Sequence, residues 1–266
     1  DNSFKLDARG EAAGIFDGTD DYIKGPNITW GDTASVAGWM RLSDPDQAGN
    51  PAAFSADYGC GVQSYYNNER IRFSIRLDGE SGQVKDWTHG WSDSVLTQWH
   101  HVGWTFDGDI WRCYVDGVQV ATDTTNMPGT LKEPGTNVNI GANGNGASAW
   151  FVGGLADYRL YPNTVLTSGN MFDLASINPA TDVSGNYADP DNDFGAGLWY
   201  KLGATASGTL DLTDYAGSNN GTNYGGTKSG FVRFLKADPT DTDNYPFEHD
   251  ANYDTNAAAG TVTLTN

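Results

Sequence analysis

Aromatic and polar side chains in two short segments are the most chemically distinctive groups of the chain. Residues 85–93 (KDWTHGWSD) combine two tryptophans, a histidine and acidic neighbours, and we predict that they form a polar loop. Aromatic faces stack on the C–H groups of sugars, and carboxylates accept hydroxyl hydrogen bonds, so this composition predicts a glycan-binding site. Packing at a sheet edge or a protein–protein interface is the alternative role of such tryptophans. The candidate ligand-binding residues are Trp87, His89 and Trp91. Tyr65 and Tyr66, which we predict to lie in a second loop of similar character, are further candidates.

No catalytic pattern is found in the sequence. Glycoside hydrolysis needs a pair of acidic side chains on one face, but no two of the five glutamates lie within a strand's length of each other. His100 and His101 have no identifiable catalytic partner. The sequence also lacks G-x-S-x-G, a phosphate-binding loop and a zinc-protease motif. We therefore predict that the protein is not an enzyme.

Cys60 and Cys113 are the only cysteines of the chain. A disulfide bond between them would stabilise the fold by roughly 4 kcal/mol in the chain-entropy model. Two separate buried thiols are the alternative, and the sequence leaves both interpretations open. Two cysteines without suitably spaced histidines cannot form a structural zinc site.

The charge and hydropathy of the chain exclude several classes of partner. A net charge of −19 argues against binding to nucleic acid, whose phosphates attract lysine and arginine. No apolar run approaches the roughly 18 residues that a membrane span requires. The chain begins at Asp1 without methionine or an apolar leader, so we expect a processed or trimmed chain.

Two segments have the sequence pattern of β-strands, and strands of this kind would position any functional site. Residues 96–117 (LTQWHHVGWTFDGDIWRCYVDG) contain two strand-like runs, separated by Asp107-Gly108-Asp109 and ended by Asp116-Gly117. Asp-Gly supplies the positive φ that tight hairpins need. Residues 71–77 (IRFSIRL) alternate apolar and polar side chains. One face of this strand is therefore core, whereas the face with Arg72, Ser74 and Arg76 is solvent or a binding surface.

These patterns resemble laminin G-like domains of the concanavalin A-like lectin and glucanase superfamily. The resemblance implies an all-β fold, an antiparallel two-sheet jelly-roll sandwich, with a short helix over Val165–Ala175 and an extended, mostly non-helical C-terminal segment. The matching segments, in order, are Gly14–Ile23, Ser35–Leu42, the hairpin of residues 96–117, Val138–Gly141 and Val152–Tyr161.

The resemblance also implies a calcium site. In related sandwiches, the opening Asp-rich strand and the aspartate of the closing strand can share a cation, which here implicates Asp20 or Asp21 together with Asp157. Ca²⁺ accepts six to eight hard oxygen ligands at variable geometry. The alternative is that these aspartates only bind backbone amides in turns.

The segment Leu198–Thr222 resembles the opening part of such a domain, but it follows the closing motif. It could begin a second repeat, complete its own sandwich, or complete a neighbour's sheet by strand addition. We predict a sandwich over residues 1–175, a segment over 176–236 that completes it, and an acidic arm over 237–266 that ends in an edge strand.

Two classes of function remain. The first is a non-catalytic structural or adhesion protein at an extracellular, cell or virion surface, with copies of itself or other surface proteins as partners. Such a protein could assemble through its C-terminal extension. The alternative is a calcium-dependent carbohydrate-binding module with glycans as partners.

Overall fold

Short strands form about half of the described chain, and the sequence predicts this predominance of β-structure. The protein is represented by a computed structural model with two large antiparallel sheets and a separate ribbon of β1 (Phe4–Asp7) and β17 (Arg233–Lys236). The residues that it describes are 4–7, 13–44, 46–47, 49–56, 60–65, 70–78, 84–90, 92–125, 127, 129–133, 135, 137–144, 146, 148–176, 194–203, 210–228 and 233–236.

The first large sheet has eight strands and contains the predicted hairpin. Its strands are β2 (Gly14–Asp17), β4 (Ala34–Leu42), β9 (His100–Phe106), β10 (Trp111–Val115), β11 (Val118–Asp123), β13 (Val152–Pro162), β14 (Leu198–Tyr200) and β16 (Thr227–Lys228). They are arranged in the order β11-β10-β9-β4-β13-β2-β16, and β14 pairs with β13.

The second large sheet has seven strands, in the order β15-β3-β12-β5-β6-β7-β8. Its strands are β3 (Tyr22–Lys24), β5 (Ala52–Ala56), β6 (Cys60–Tyr65), β7 (Arg70–Arg76), β8 (Val84–Gly90), β12 (Val138–Ile140) and β15 (Thr222–Tyr224). The predicted alternation in β7 is confirmed, because Ile71, Phe73 and Ile75 are buried in the core.

The core lies between the two sheets and is rich in aromatic side chains. Trp30 contacts Trp104 of the eight-strand sheet at 5.7 Å between ring centroids, and Phe54 of the seven-strand sheet at 6.4 Å. Phe54 also stacks on Tyr158 at 6.3 Å. Such pairs add about 0.5–1.5 kcal/mol each to the free energy of burial. The two-sheet jelly-roll sandwich predicted from the sequence is therefore confirmed.

The turn residues act as the sequence predicts. Gly108 has φ +94°, and the Asp107 carboxylate accepts hydrogen bonds from the amides of Asp109 and Ile110 at 3.1 and 2.7 Å. In the next turn, Asp116 and Gly117 both have positive φ, at +49° and +77°. A two-residue hairpin turn of this kind requires positive φ at both positions.

A helix, α2 (Ser168–Ser176), covers part of the outward face of the eight-strand sheet. It begins later than predicted because Thr167 caps it. The hydroxyl of Thr167 accepts a hydrogen bond from the Asn170 amide, and the Asn170 side chain accepts one from the Thr167 amide. The apolar residues that pack together beneath the helix are Ala37, Tyr114, Tyr161, Leu166, Met171 and Leu174. A shorter helix, α1 (Asp93–Leu96), precedes β9, and none of the described helices is long and apolar enough to cross a membrane.

The C-terminal segment pairs with strands of the same chain. Tyr200 of β14 lies opposite Tyr158 of β13, while β15 pairs with β3 and β16 with β2. Strands β14 (Leu198–Tyr200), β15 (Thr222–Tyr224) and β16 (Thr227–Lys228) therefore belong to the chain's own sheets. The domain boundaries at 175 and 236 stay predictions, and the acidic arm of residues 237–266 lies outside the described residues.

The structure corrects two sequence-based expectations. Residues 84–90 form the edge strand β8 and not a loop, because they pair along the whole of β7. The candidate disulfide is not formed, and Cys60 and Cys113 are both buried thiols. They lie on strands of different sheets, β6 and β10, and both belong to the core cluster. Burial raises the pKa of the Cys113 thiol well above its usual range.

Candidate functional site

A polar cavity of about 220 Å³ lies on the outward face of the seven-strand sheet. Ser55, Gly61 and Ser74 occupy directly opposed positions on β5, β6 and β7 and line its floor. Their chain neighbours Phe54 and Phe73 point into the core. Because side chains alternate along a strand, the floor residues must face outward.

Gln63 and Arg72 continue this floor by one further pair of opposed positions. The Arg72 guanidinium donates to the Gln63 side-chain oxygen over 3.4 Å. Arg72 is the only charged group among the described residues that line the cavity.

Two loops form the wall of the cavity. Gly49 and Asn50 approach from the β4–β5 connection with φ of +94° and +53°. The β12–β13 loop supplies Asn143 and Ser148, whose side chains are joined by a hydrogen bond of 2.5 Å. The Ala52 amide donates to the Ala149 carbonyl at 2.8 Å and ties this loop to β5.

Two buried amide oxygens beside the cavity have no hydrogen-bond donor among the described residues. One is Oδ1 of Asn143, which lines the cavity. The other is Oδ1 of Asn139, which lies on β12 opposite Ser55 and donates through its amide nitrogen to the Asn143 carbonyl at 2.8 Å. Because a buried acceptor without a partner costs about 1–3 kcal/mol, these oxygens favour a ligand or water that donates hydrogen bonds.

None of the aromatic residues predicted to bind a ligand is among the described residues that line this cavity. Trp87 and His89 lie in β8, opposite the core residues Phe73 and Ile71, and their side chains lie outside what the structure describes. Tyr65 is the last residue of β6, two positions beyond Gln63. Its side chain, and the whole of Trp91 and Tyr66, also lie outside the described part of the chain.

The predicted metal ligands Asp20 and Asp21 lie close together in the structure, and Asp17 is the third carboxylate of this group. One carboxylate oxygen from each lies within 4.8 Å of the others. Asp21 is buried, and its carboxylate accepts a hydrogen bond from the Asp17 amide at 2.8 Å. Burial raises the pKa of Asp21, the Asp17 amide acts in the opposite direction, and the charges of Asp17 and Asp20 raise it further.

Asp157 is not a member of this group, so that part of the predicted ligand set is wrong. Its position on β13 is five residues beyond Val152, the residue opposite Asp17, or about 16 Å along the strand. Its carboxylate accepts two hydrogen bonds from Arg159, both at 3.0 Å, and one from the Trp199 indole at 2.6 Å. Asp157 therefore stabilises a buried cation.

The cavity is a candidate site that the sequence did not predict. The outward polar face of β7, with Arg72 and Ser74, was the one local signal for it. The sequence alone could not show that the loop containing Asn143 and Ser148 reaches over the same face, because the two segments are about 70 residues apart.

Three solved structures resemble this chain at low sequence identity. A candidate carbohydrate-binding protein from Bacteroides ovatus is 19% identical, with a TM-score of 0.56 over 85% of this chain and 60% of its own. This chain thus spans less than two thirds of that protein. Domain 4 of an extracellular arabinanase from Geobacillus stearothermophilus, solved with arabinotriose, is 19% identical, with a TM-score of 0.46 over 66% of this chain and 82% of its own. The heptameric SAP-like pentraxin from Limulus polyphemus is 16% identical, with a TM-score of 0.46 over 64% and 82% of the two chains.

No curated protein matches the sequence significantly. A laminin G-type family model, described as the concanavalin A-like lectin/glucanases superfamily, matches residues 17–169, which is more than half of the chain. With its two antiparallel sheets and buried aromatic core, the chain belongs to the concanavalin A-like lectin/glucanases superfamily.

Proposed function

We propose that this protein is a non-catalytic, extracellular glycan-binding protein whose ligand occupies the cavity on the seven-strand sheet. The observation that carries the proposal is the lining of the cavity: three serine hydroxyls, several amides and one guanidinium, with the Asn143 amide oxygen at its wall unpartnered among the described residues. A sugar offers hydroxyls that both donate and accept, so it can satisfy all of these groups. The volume suits a single sugar unit or side group.

The carbohydrate-binding proteins of the same superfamily are compatible with this proposal, but at such low identity their likeness concerns the fold. The proposal therefore depends on the cavity itself. The structural or adhesion role stays compatible with it, because glycan binding is one way to attach to a surface. Self-assembly stays a prediction.

A glycan array with the full chain tests the proposal. The variant Ser74→Tyr places a ring over the floor of the cavity and is expected to abolish the binding seen with the unmodified chain. Thr222→Tyr adds the same ring at an exposed position of β15, near the other edge of the same sheet, and should leave binding unchanged. Thermal unfolding must show that both variants are folded. A chain that binds no glycan, or equal binding by the two variants, would contradict the proposal.

We further propose that Asp17, Asp20 and Asp21 bind Ca²⁺. Calcium–oxygen distances are about 2.3–2.6 Å, so two oxygens on opposite sides of one ion lie about 5 Å apart. The 4.8 Å spread of the three carboxylate oxygens fits this requirement. A bound ion would neutralise the repulsion among the three carboxylates and fix the β2–β3 turn. The turn at Gly225 packs against Asp21, since a Cβ atom on Gly225 would lie 1.8 Å from Asp21 Oδ1.

Calcium titration during thermal unfolding checks this site. Ca²⁺ at 100 times its dissociation constant should stabilise the fold by about 2.7 kcal/mol. Asp20→Asn should remove the effect, whereas Asp109→Asn, in the exposed β9–β10 turn, makes the same change of charge and should retain it. The absence of any shift at millimolar Ca²⁺ would rule the site out.

A further inference from the structure

We infer that the outward face of the seven-strand sheet selects glycans that carry anionic groups, an inference that rests on the proposed function of the cavity. The ligand class is an acidic saccharide, with a carboxylate or sulfate held by arginine side chains around a neutral sugar-binding floor.

The strands of this sheet are positively charged, although the chain as a whole has a net charge of −19. They contain five basic residues and one acidic residue, which gives 5 − 1 = +4 for the sheet. These residues are Lys24, Arg70, Arg72, Arg76, Lys85 and Asp86. Nearly all of the acidic residues of the chain therefore lie outside these strands.

Most of this charge is on the face that contains the cavity. Arg70, Arg72 and Arg76 occupy outward positions of β7, since they alternate with its buried residues. Alternate positions on a strand are about 6.6 Å apart. Ser74 lies between Arg72 and Arg76, so the floor of the cavity has a guanidinium on either side along the strand. The one acidic residue, Asp86, holds the position opposite Ser74 on β8.

Several of these cations have no counter-ion among the described residues. Arg70, Arg76 and Lys24 form no ion pair with any of them, and the buried Nε of Arg76 has no acceptor there. The arginines Arg112 and Arg159 of the other sheet are, by contrast, paired with aspartates at 2.8 and 3.0 Å.

An anionic ligand would complete this arrangement. Guanidinium groups bind planar anions through two parallel charge-assisted hydrogen bonds, which are about twice as strong as neutral ones. The net charge of the chain repels polyanions at long range, with a screening length of about 8 Å at physiological salt. A preference for acidic sugars must therefore arise from contacts on this face and not from general attraction.

Titration calorimetry with matched sugars tests the inference. Hexauronates of galacturonic, glucuronic and mannuronic acid are each compared with the neutral hexamer obtained by reducing their carboxyl groups. We expect the full chain to bind at least one uronate about tenfold more tightly than its neutral partner, or about 1.4 kcal/mol. Arg72→Gln and Arg76→Gln should reduce that ratio towards one. Arg112→Gln makes the same change of charge on the other sheet and should preserve it.

The possible results separate the inference from the proposed function. Equal or tighter binding of the neutral hexamers would overturn the selection of anions and leave glycan binding intact. If the Arg72→Gln and Arg76→Gln variants both still prefer the acidic sugars, the assignment of the anion-binding groups to this face is overturned. Binding of sulfated oligosaccharides in preference to uronates, lost in the same variants, would support the inference and assign the anion as sulfate. A chain that binds neither acidic nor neutral sugars, in calorimetry or on the array, would overturn the proposed function as well.

Discussion

At the scale of single residues, the outward face of the eight-strand sheet contains charged groups that are buried. Arg159 is 1% exposed, and its guanidinium stacks on the Trp199 ring at 3.9 Å while it pairs with Asp157. His101 is 1% exposed, and its ring packs edge-on against Trp39. Burial lowers the pKa of His101 to about 4, although the charges of Asp157 and Asp116 act in the opposite direction. His101 is therefore neutral at physiological pH.

Stability should consequently depend on the protonation of His101. Its pKa is about 6.5 when the chain is unfolded and about 4 when it is folded, so between these values the unfolded state binds more protons. Stability is then lost as the pH falls from about 6.5 to 4, by about 3 kcal/mol at 1.36 kcal/mol per pH unit. Urea unfolding across this pH range should show the loss, and His101→Gln should flatten it. An NMR titration in which His101 protonates near pH 6.5 in the folded state would contradict the prediction.

The ion pair of Asp157 and Arg159 should be far more important for stability than the partly exposed pair of Asp107 and Arg112. Asp157→Asn leaves a buried guanidinium without a counter-ion, which is expected to cost about 3–5 kcal/mol. Asp107→Asn makes the same chemical change where the two side chains are 30% and 26% exposed, and should cost at most about 1 kcal/mol. Chemical denaturation of both variants measures the difference. Equal losses would show that Asp157 is not energetically special.

At the scale of elements, close approach of strands and helix depends on glycines in the sheet. A Cβ atom on Gly103 in β9 would lie 2.4 Å from the Val36 carbonyl oxygen and 2.5 Å from the Met171 side chain. The first of these is backbone, which cannot move aside without displacing β4. A side chain at this position would therefore separate β4 from β9 and lift α2 from the sheet.

Gly103→Ala should accordingly destabilise the fold by about 2 kcal/mol or more, because overpacking forces backbone shifts. Gly90 in β8 is the matched control, since a Cβ atom there meets nothing within 4 Å. Gly90→Ala should change the free energy of unfolding by no more than about 1 kcal/mol. An increase would reflect the reduced freedom of the unfolded chain. Urea midpoints compare the two variants. A Gly103→Ala protein as stable as the unmodified one would mean that the strands can separate at little cost.

At the scale of the whole molecule, the sandwich is completed by residues distant from its first strands in sequence. β14, β15 and β16 extend the two sheets, and Leu198, Trp199, Tyr200 and Leu202 are all buried. The backbone of Trp199 is tied to Asp214, whose carboxylate accepts its amide hydrogen bond at 3.1 Å. The segment is thus integrated into the fold of its own chain.

A chain that ends at residue 175 should therefore not fold cooperatively. Each of the four buried side chains contributes roughly 2 kcal/mol, and together this equals much of the 5–15 kcal/mol by which a domain is usually stable. Calorimetry and circular dichroism of residues 1–175 should show no sharp transition, whereas a chain ending at 236 should retain one. A folded 1–175 chain that has lost only the ability to associate would instead favour strand addition to a neighbour.

The two-sheet sandwich could be predicted from the amino-acid sequence, because the signals for its strands and turns are local. Alternation within β7 identifies the face of the strand that packs in the core, and Asp-Gly turns need only two residues to set a positive φ. The proximity of Asp20 and Asp21 could also be predicted from the sequence, since neighbours in one tight turn are necessarily close.

The surroundings of residues whose partners are far apart in sequence are set by the folding of the whole chain and could not be predicted locally. The carboxylate of Asp157 accepts a hydrogen bond from the indole of Trp199, 42 residues away, and no local pattern in the sequence shows this contact. Residues 84–90 have the composition of a loop but become a strand because β7 offers them a free edge. The cavity exists only where β5, β6 and β7 meet the Asn143 loop, and strand register, which fixes those contacts, is a property of the assembled sheet.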